Sequence, residues 1–175
     1  QASDRSAYLE AISHLTTGIE LLKTLPETPA HTQHALTLYT ALGAALVMAK
    51  GQGAPEVEHA YIQAHALCQQ VGETPQLVPV LLGLWRFYLA RQQFQTARDL
   101  GETLLRLAQR TDDSAHYVVA HYALGFTWLC LGALPAARQH LEEAIACYTP
   151  DQRHESVFRI GQDLGVGCRV QVART

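Results

Sequence analysis

Apolar residues recur at three- and four-residue spacing along almost the whole chain, and strict alternation is nearly absent. That spacing is the mark of amphipathic helices. Tyr8, Ile12, Leu15, Ile19 and Leu22 form one stripe and predict a helix over about 4–25. Leu36, Tyr39, Leu42, Gly43, Leu46 and Val47 form a second, ending at Gly51 and Gly53. Pro55 opens a third helix from its first turn, where its missing N–H is harmless. Glu56 and Glu58 follow at the positive end of the helix dipole, and Gly72 suits a left-handed cap. Thr74-Pro75 starts a fourth helix carrying Leu77, Leu81, Leu84, Phe87 and Tyr88. A fifth spans about 94–110, with Ala97, Leu100, Leu104 and Leu107 on one face. Asp112-Asp113-Ser114 offers capping side chains to a sixth over about 115–131. Gly132 ends it, and Pro135 opens a seventh that stops near Thr149-Pro150. An eighth is expected between about His154 and the end, where Gly161, Gly165 and Gly167 disturb the pattern. The predicted fold class is all-α, with seven to eight helices in antiparallel pairs stacked as a superhelix.

The pattern repeats. Leu42-Gly43, Leu82-Gly83 and Leu124-Gly125 each fall inside a predicted helix, 40 and 42 residues apart. A mid-helix glycine costs about 1 kcal/mol relative to alanine, so three of them require a compensating contact. Close approach of the next helix is the expected one, with Ala60, Ala97 and Ala137 as the matching small residues. Stacked antiparallel helix pairs of this kind form solenoids.

These residues resemble the tetratricopeptide repeat family. Its pattern is a bulky residue, Leu-Gly or Leu-Ala and an aromatic on the first helix, then Ala, a large apolar residue, Ala and a closing Pro. The third unit carries Leu124, Gly125 and Trp128, then Ala137, Leu141 and Ala144, with Pro150 one place late. It departs at His121 and in having Leu141 where an aromatic is usual. The first unit keeps Tyr39, Leu42, Gly43, Ala60 and Ala64 across a longer turn, and the second keeps Leu82, Gly83 and Ala97 but carries Pro79 and Arg86. The resemblance implies units at about 30–73, 74–111 and 112–150, a partial unit over 151–175 and an extra helix in front, all in one domain. The stretches 51–58, 72–77, 84–88 and 121–125 are also similar to the C-terminal repeat region of large bacterial signalling proteins. There an ATPase module, joined in some to a cyclase or DNA-binding domain, precedes the repeats. The resemblance implies a docking or sensing arm.

Composition narrows the classes. Charged residues make up 17% of the 175, low enough that either much of the chain is buried or some surface is apolar. Thirteen basic against sixteen acidic residues leave no clustered basic stripe, so nucleic acid is not an expected partner. The longest apolar run, Leu77 to Trp85, contains Pro79 and Gly83 and falls far short of the roughly 20 residues a membrane span needs. No signal peptide opens the sequence as given. Gln1 at one end and the run from Gly167 to Thr175 at the other suggest a piece of a longer protein. Cys68, Cys130, Cys147 and Cys168 are widely spaced, with apolar neighbours around the first three. Buried free thiols in a reducing, cytoplasmic setting are expected.

Candidate chemistry is thin. Of nine histidines, His31 and His34 are the closest pair, while His59/His65 and His116/His121 share no helical face well. No metal site is expected, and no cofactor. No GxSxG, P-loop or dinucleotide fingerprint occurs. Gly161 to Gly167 has no lysine and reads as a loop or helix entry, while Asp112-Asp113 and Glu142-Glu143 read as caps and solvated faces. The chain is expected not to be an enzyme.

In this repeat type the first helix of each unit lines a concave face. Counting from the glycines places Thr37, Thr40, Ala44 and Val47 there in the first unit, with Leu77, Val80, Leu84, Phe87 and Tyr88 in the second. Val119, Tyr122, Phe126 and Leu129 follow in the third, with Arg91 near the end of the fourth helix. Thr40, Val80, Phe87, Tyr88, Arg91, Tyr122 and Phe126 are the expected partner contacts. The partner is a protein or peptide segment, or another domain of the same protein. An uncapped last helix also favours a homo-oligomer. An alternative is an effector-sensing arm that regulates an attached ATPase, cyclase or transcription-activator module.

Overall fold

In a computed structural model, residues 2–26, 28–72, 74–149 and 163–175 are described, the first four of these by their backbone alone. The described residues form eight α-helices and no strand: α1 Ala2–Leu22, α2 Pro29–Lys50, α3 Pro55–Val71 and α4 Leu77–Ala90, then α5 Phe94–Thr111, α6 Ser114–Cys130, α7 Leu134–Cys147 and α8 Leu164–Val172. The protein is all-α.

Local chemistry sets the ends. Thr28 accepts the His31 N–H and Pro29 occupies the first turn of α2. Asp113 accepts the N–H groups of Ala115 and His116 at the start of α6, and Asp163 accepts that of Val166 at the start of α8. Thr74-Pro75 does not start α4. Pro75 lies in a turn, the Thr74 hydroxyl binds the Gln76 side chain, and the helix begins two residues later. Gly165 and Gly167 lie in the first turn of α8, so of the two readings of that run the helix entry holds for them. Residues 154–162 of the expected eighth helix, with Pro150 and Gly161, fall outside the described residues.

The chain divides into two compact units, Gln1–Arg91 and Gln92–Thr175. In the first, α1 packs on α2, α2 on α3 and α3 on α4, and α2 also reaches α4. In the second, α5 packs on α6, α6 on α7 and α7 on α8, and α6 also reaches α8. Each unit thus combines next-neighbour packing with a contact that skips a helix, an arrangement consistent with stacked helices.

Helices α3, α5 and α7 carry a 40-residue register that the glycines obscure. The buried positions are Val57, Tyr61, Ala64 and Cys68 on α3, Ala97, Gly101, Leu104 and Ala108 on α5, and Ala137, Leu141 and Ala144 on α7. Val57, not Ala60, is therefore the first-unit equivalent of Ala97 and Ala137, although Ala60 is buried too. Gly43 and Gly83 share this period and Gly125 lies two residues beyond it.

The glycines do not admit a small residue from the facing helix. A Cβ on Gly43 would come within 2.7 Å of the Tyr61 ring, and one on Gly83 would strike the same ring. Tyr61, on α3, lies between the two glycine notches of α2 and α4. On Gly125 a Cβ would meet Leu141 at 2.6 Å and the Ala137 carbonyl oxygen at 3.2 Å. The notches receive large side chains because a ring or a leucine fills an interhelical space that two small residues would leave open.

Candidate interaction surface

Charge is segregated by helix. Lys50 is the only charged residue of α2, Arg86 the only one of α4, and α6 has none. The neighbouring helices carry more charge: Glu56 and Glu58 on α3, Arg98, Asp99, Glu102, Arg106 and Arg110 on α5, Arg138, Glu142 and Glu143 on α7. On α4 the reason is burial, since eight of its fourteen residues are buried. On α2 burial does not account for it. Ala30, His34, Thr37, Ala41, Ala44 and Met48 follow one another at three- and four-residue spacing, and all six are exposed, Met48 at 60%. An exposed helix face ordinarily carries charge. This one has none over five turns.

The expected partner contacts separate into two groups. Val80 and Phe87, at 0% and 3% exposure, belong to the interior, as does Tyr122 at 7%. The concave-face assignment of these three is thus corrected. Val80 and Phe87 lie on a helix with most of its circumference buried, and Tyr122 faces Gly167 on α8, which covers that side of α6. Leu84 and Val119, placed on the same face, are buried as well. Phe126 is half-buried, its ring 6.1 Å from that of Tyr122. Thr40 is half-buried and donates its hydroxyl to the Leu36 carbonyl at 2.8 Å. Tyr88 is half-buried, and its hydroxyl donates to Glu58 Oε1 at 2.8 Å, tying α4 to α3. Arg91 is exposed, and so are Thr37 and Ala44.

Burial raises the Tyr61 phenol above its usual value, and burial with the Glu58 contact does the same to Tyr88. Cys68 and Cys168 are buried, the latter pushed up to about 12 by desolvation, so neither is a reactive thiolate. Cys130 is exposed and Cys147 half-buried, against the expectation that these thiols are core residues. The helix ends expose Cys130 at the last residue of α6.

Three features escaped sequence reasoning. Tyr61 was legible only through the 40-residue register of α3, α5 and α7. Glu58 looked like a dipole partner at a helix start. His121 and His140 lie nineteen residues apart with no motif between them, yet the pairing of α6 with α7 brings their Nδ1 atoms to 3.1 Å. Burial lowers both imidazoles, partly offset by the Glu143 carboxylate. Among the described residues no group of three or more His, Cys, Asp or Glu is placed to hold a metal ion, and no helix is long and apolar enough to cross a membrane. An open cleft of about 370 Å³ lies where the start of α2 meets the end of α3, lined by Thr28, Pro29, Thr32, Gln70 and Val71, none of them charged or aromatic.

No family model matches the chain, and no curated protein or solved structure matches it.

Proposed function

We propose that this chain is a non-catalytic docking module of the helical-repeat kind, binding a protein segment along the uncharged outer face of α2. The observation that carries the reading is the exposed stripe Ala30, His34, Thr37, Ala41, Ala44 and Met48 on a helix whose only charge is at its last residue. Interface cores are depleted of charge and enriched in methionine. Small side chains at Ala30, Ala41 and Ala44 let a second helix approach to about 8 Å, the short end of interaxial distances. An amphipathic helix laid along α2 is therefore the favoured partner form. The resemblance to repeat arms of bacterial signalling proteins supports a regulatory reading, with this module as the arm through which a partner is held.

Photo-crosslinking tests this reading. A photoreactive residue at Ala44 is expected to give one discrete adduct in cells, and one at exposed Gln69 on α3 none. Adducts of equal yield from both positions, or none from Ala44, would overturn it.

A further inference from the structure

His121 of α6 and His140 of α7 face each other, their Nδ1 atoms 3.1 Å apart and ring centroids 5.2 Å apart. Both are half-buried. Tyr117, one turn before His121, stacks on its ring at 6.4 Å and 24°. Glu143, one turn after His140, lies near enough for its charge to act on both rings. Two imidazole nitrogens at this separation share a single proton, one donating and the other offering its lone pair. The same separation matches a pair of ligands on one metal. With metal–nitrogen bonds of about 2.0–2.1 Å, it corresponds to a ligand–metal–ligand angle of roughly 100°, between the square and tetrahedral values.

We propose that His121 and His140 form a chelating site for a late first-row divalent cation, bound through both Nδ1 atoms, the proton they share moving to Nε2 of the ring that donated it. Imidazole favours copper, nickel and zinc over magnesium and calcium, and copper(II) heads the order of affinity. The two helices fix the spacing of the ligands. Their rings need only turn so that both lone pairs meet at the ion. Tyr117 restrains the His121 ring by stacking, and Glu143 supplies a negative charge beside a dipositive ion without being a ligand. Water completes the coordination, because no third His, Cys, Asp or Glu is in ligating range among the described residues. The site is independent of the α2 face and of the docking function.

The test is a titration of the 175-residue chain with Cu²⁺, followed by calorimetry and electron paramagnetic resonance. One equivalent is expected to bind first, with two equatorial imidazole nitrogens in the spectrum. His121→Gln or His140→Gln is expected to weaken binding by more than about tenfold, exceeding the lower end of what even an outer-shell partner commands. His31→Gln with His34→Gln, the closest pair in sequence, leaves it unchanged. Nitrogen-15 spectra of the unaltered chain with Zn²⁺ give the same answer without a variant: the His121 and His140 Nδ1 signals move before those of the other seven histidines. Binding that persists in both variants, follows His31 and His34, or fails to saturate by 100 µM on the order of weak surface association overturns the proposal. So does a zinc titration that moves other imidazoles first.

Discussion

The ring of Tyr61 occupies the space that a methyl group on Gly43 or Gly83 would need, so these positions are coupled through one side chain. Gly83→Ala gains up to about 1 kcal/mol of helix propensity but overpacks against a ring held on both sides, at about 1–3 kcal/mol. A net loss of up to about 2 kcal/mol in unfolding free energy is expected. Tyr61→Leu in the same chain should make the second substitution less costly than it is alone, a coupling that a double-mutant cycle in urea measures. The Tyr88 hydroxyl ties α4 to Glu58, and Tyr88→Phe is expected to cost about 0.5–1 kcal/mol, measured in the same way. Both phenols have raised pKa values, so they hold their protons to higher pH in the folded chain than a free tyrosine, which ionises at about pH 10. Their contribution to stability is complete below pH 10 and is lost as the pH rises through the folded values. Absorbance at 295 nm should therefore show a late-ionising fraction accompanied by a falling thermal midpoint, and Tyr88→Phe should shrink that fraction.

Helix starts and stops were legible because they rest on local chemistry. Pro55, Asp113 and Gly132 act within one turn of themselves, and each lies where its type predicts. What a helix face touches is not local. The count from Gly83 placed Val80 and Phe87 on an open face, whereas α4 is buried around most of its circumference. Tyr122 was misplaced because α8, beyond a stretch with no clear pattern, covers it. The turns after α4 and α6 show the same register at backbone level: Gln92 has φ 59° and Gly132 has φ 76°, forty residues apart. Glutamine is strained there, and glycine is not. Gln92→Gly is expected to raise stability by about 1 kcal/mol, and Gly132→Ala to lower it by a similar amount, both read from thermal midpoints.

At the scale of the molecule, the low charge has two causes that composition could not separate. On α4 and much of α6 it reflects burial. On α2 it leaves a bare face of small residues and one methionine, and the docking account rests on that face. The small residues there were legible in part, since Thr37 and Ala44 were among the positions counted from Gly43. The full stripe appears only once exposure is known. Substitutions on it leave the core untouched, so Ala44→Glu with Met48→Glu should shift the thermal midpoint little. The most direct test of the account is the affinity of that double variant for the partner recovered by crosslinking at Ala44. A loss of at least roughly tenfold, about 1.4 kcal/mol, with an unchanged melting curve is predicted. Binding as tight as that of the unaltered chain would contradict it.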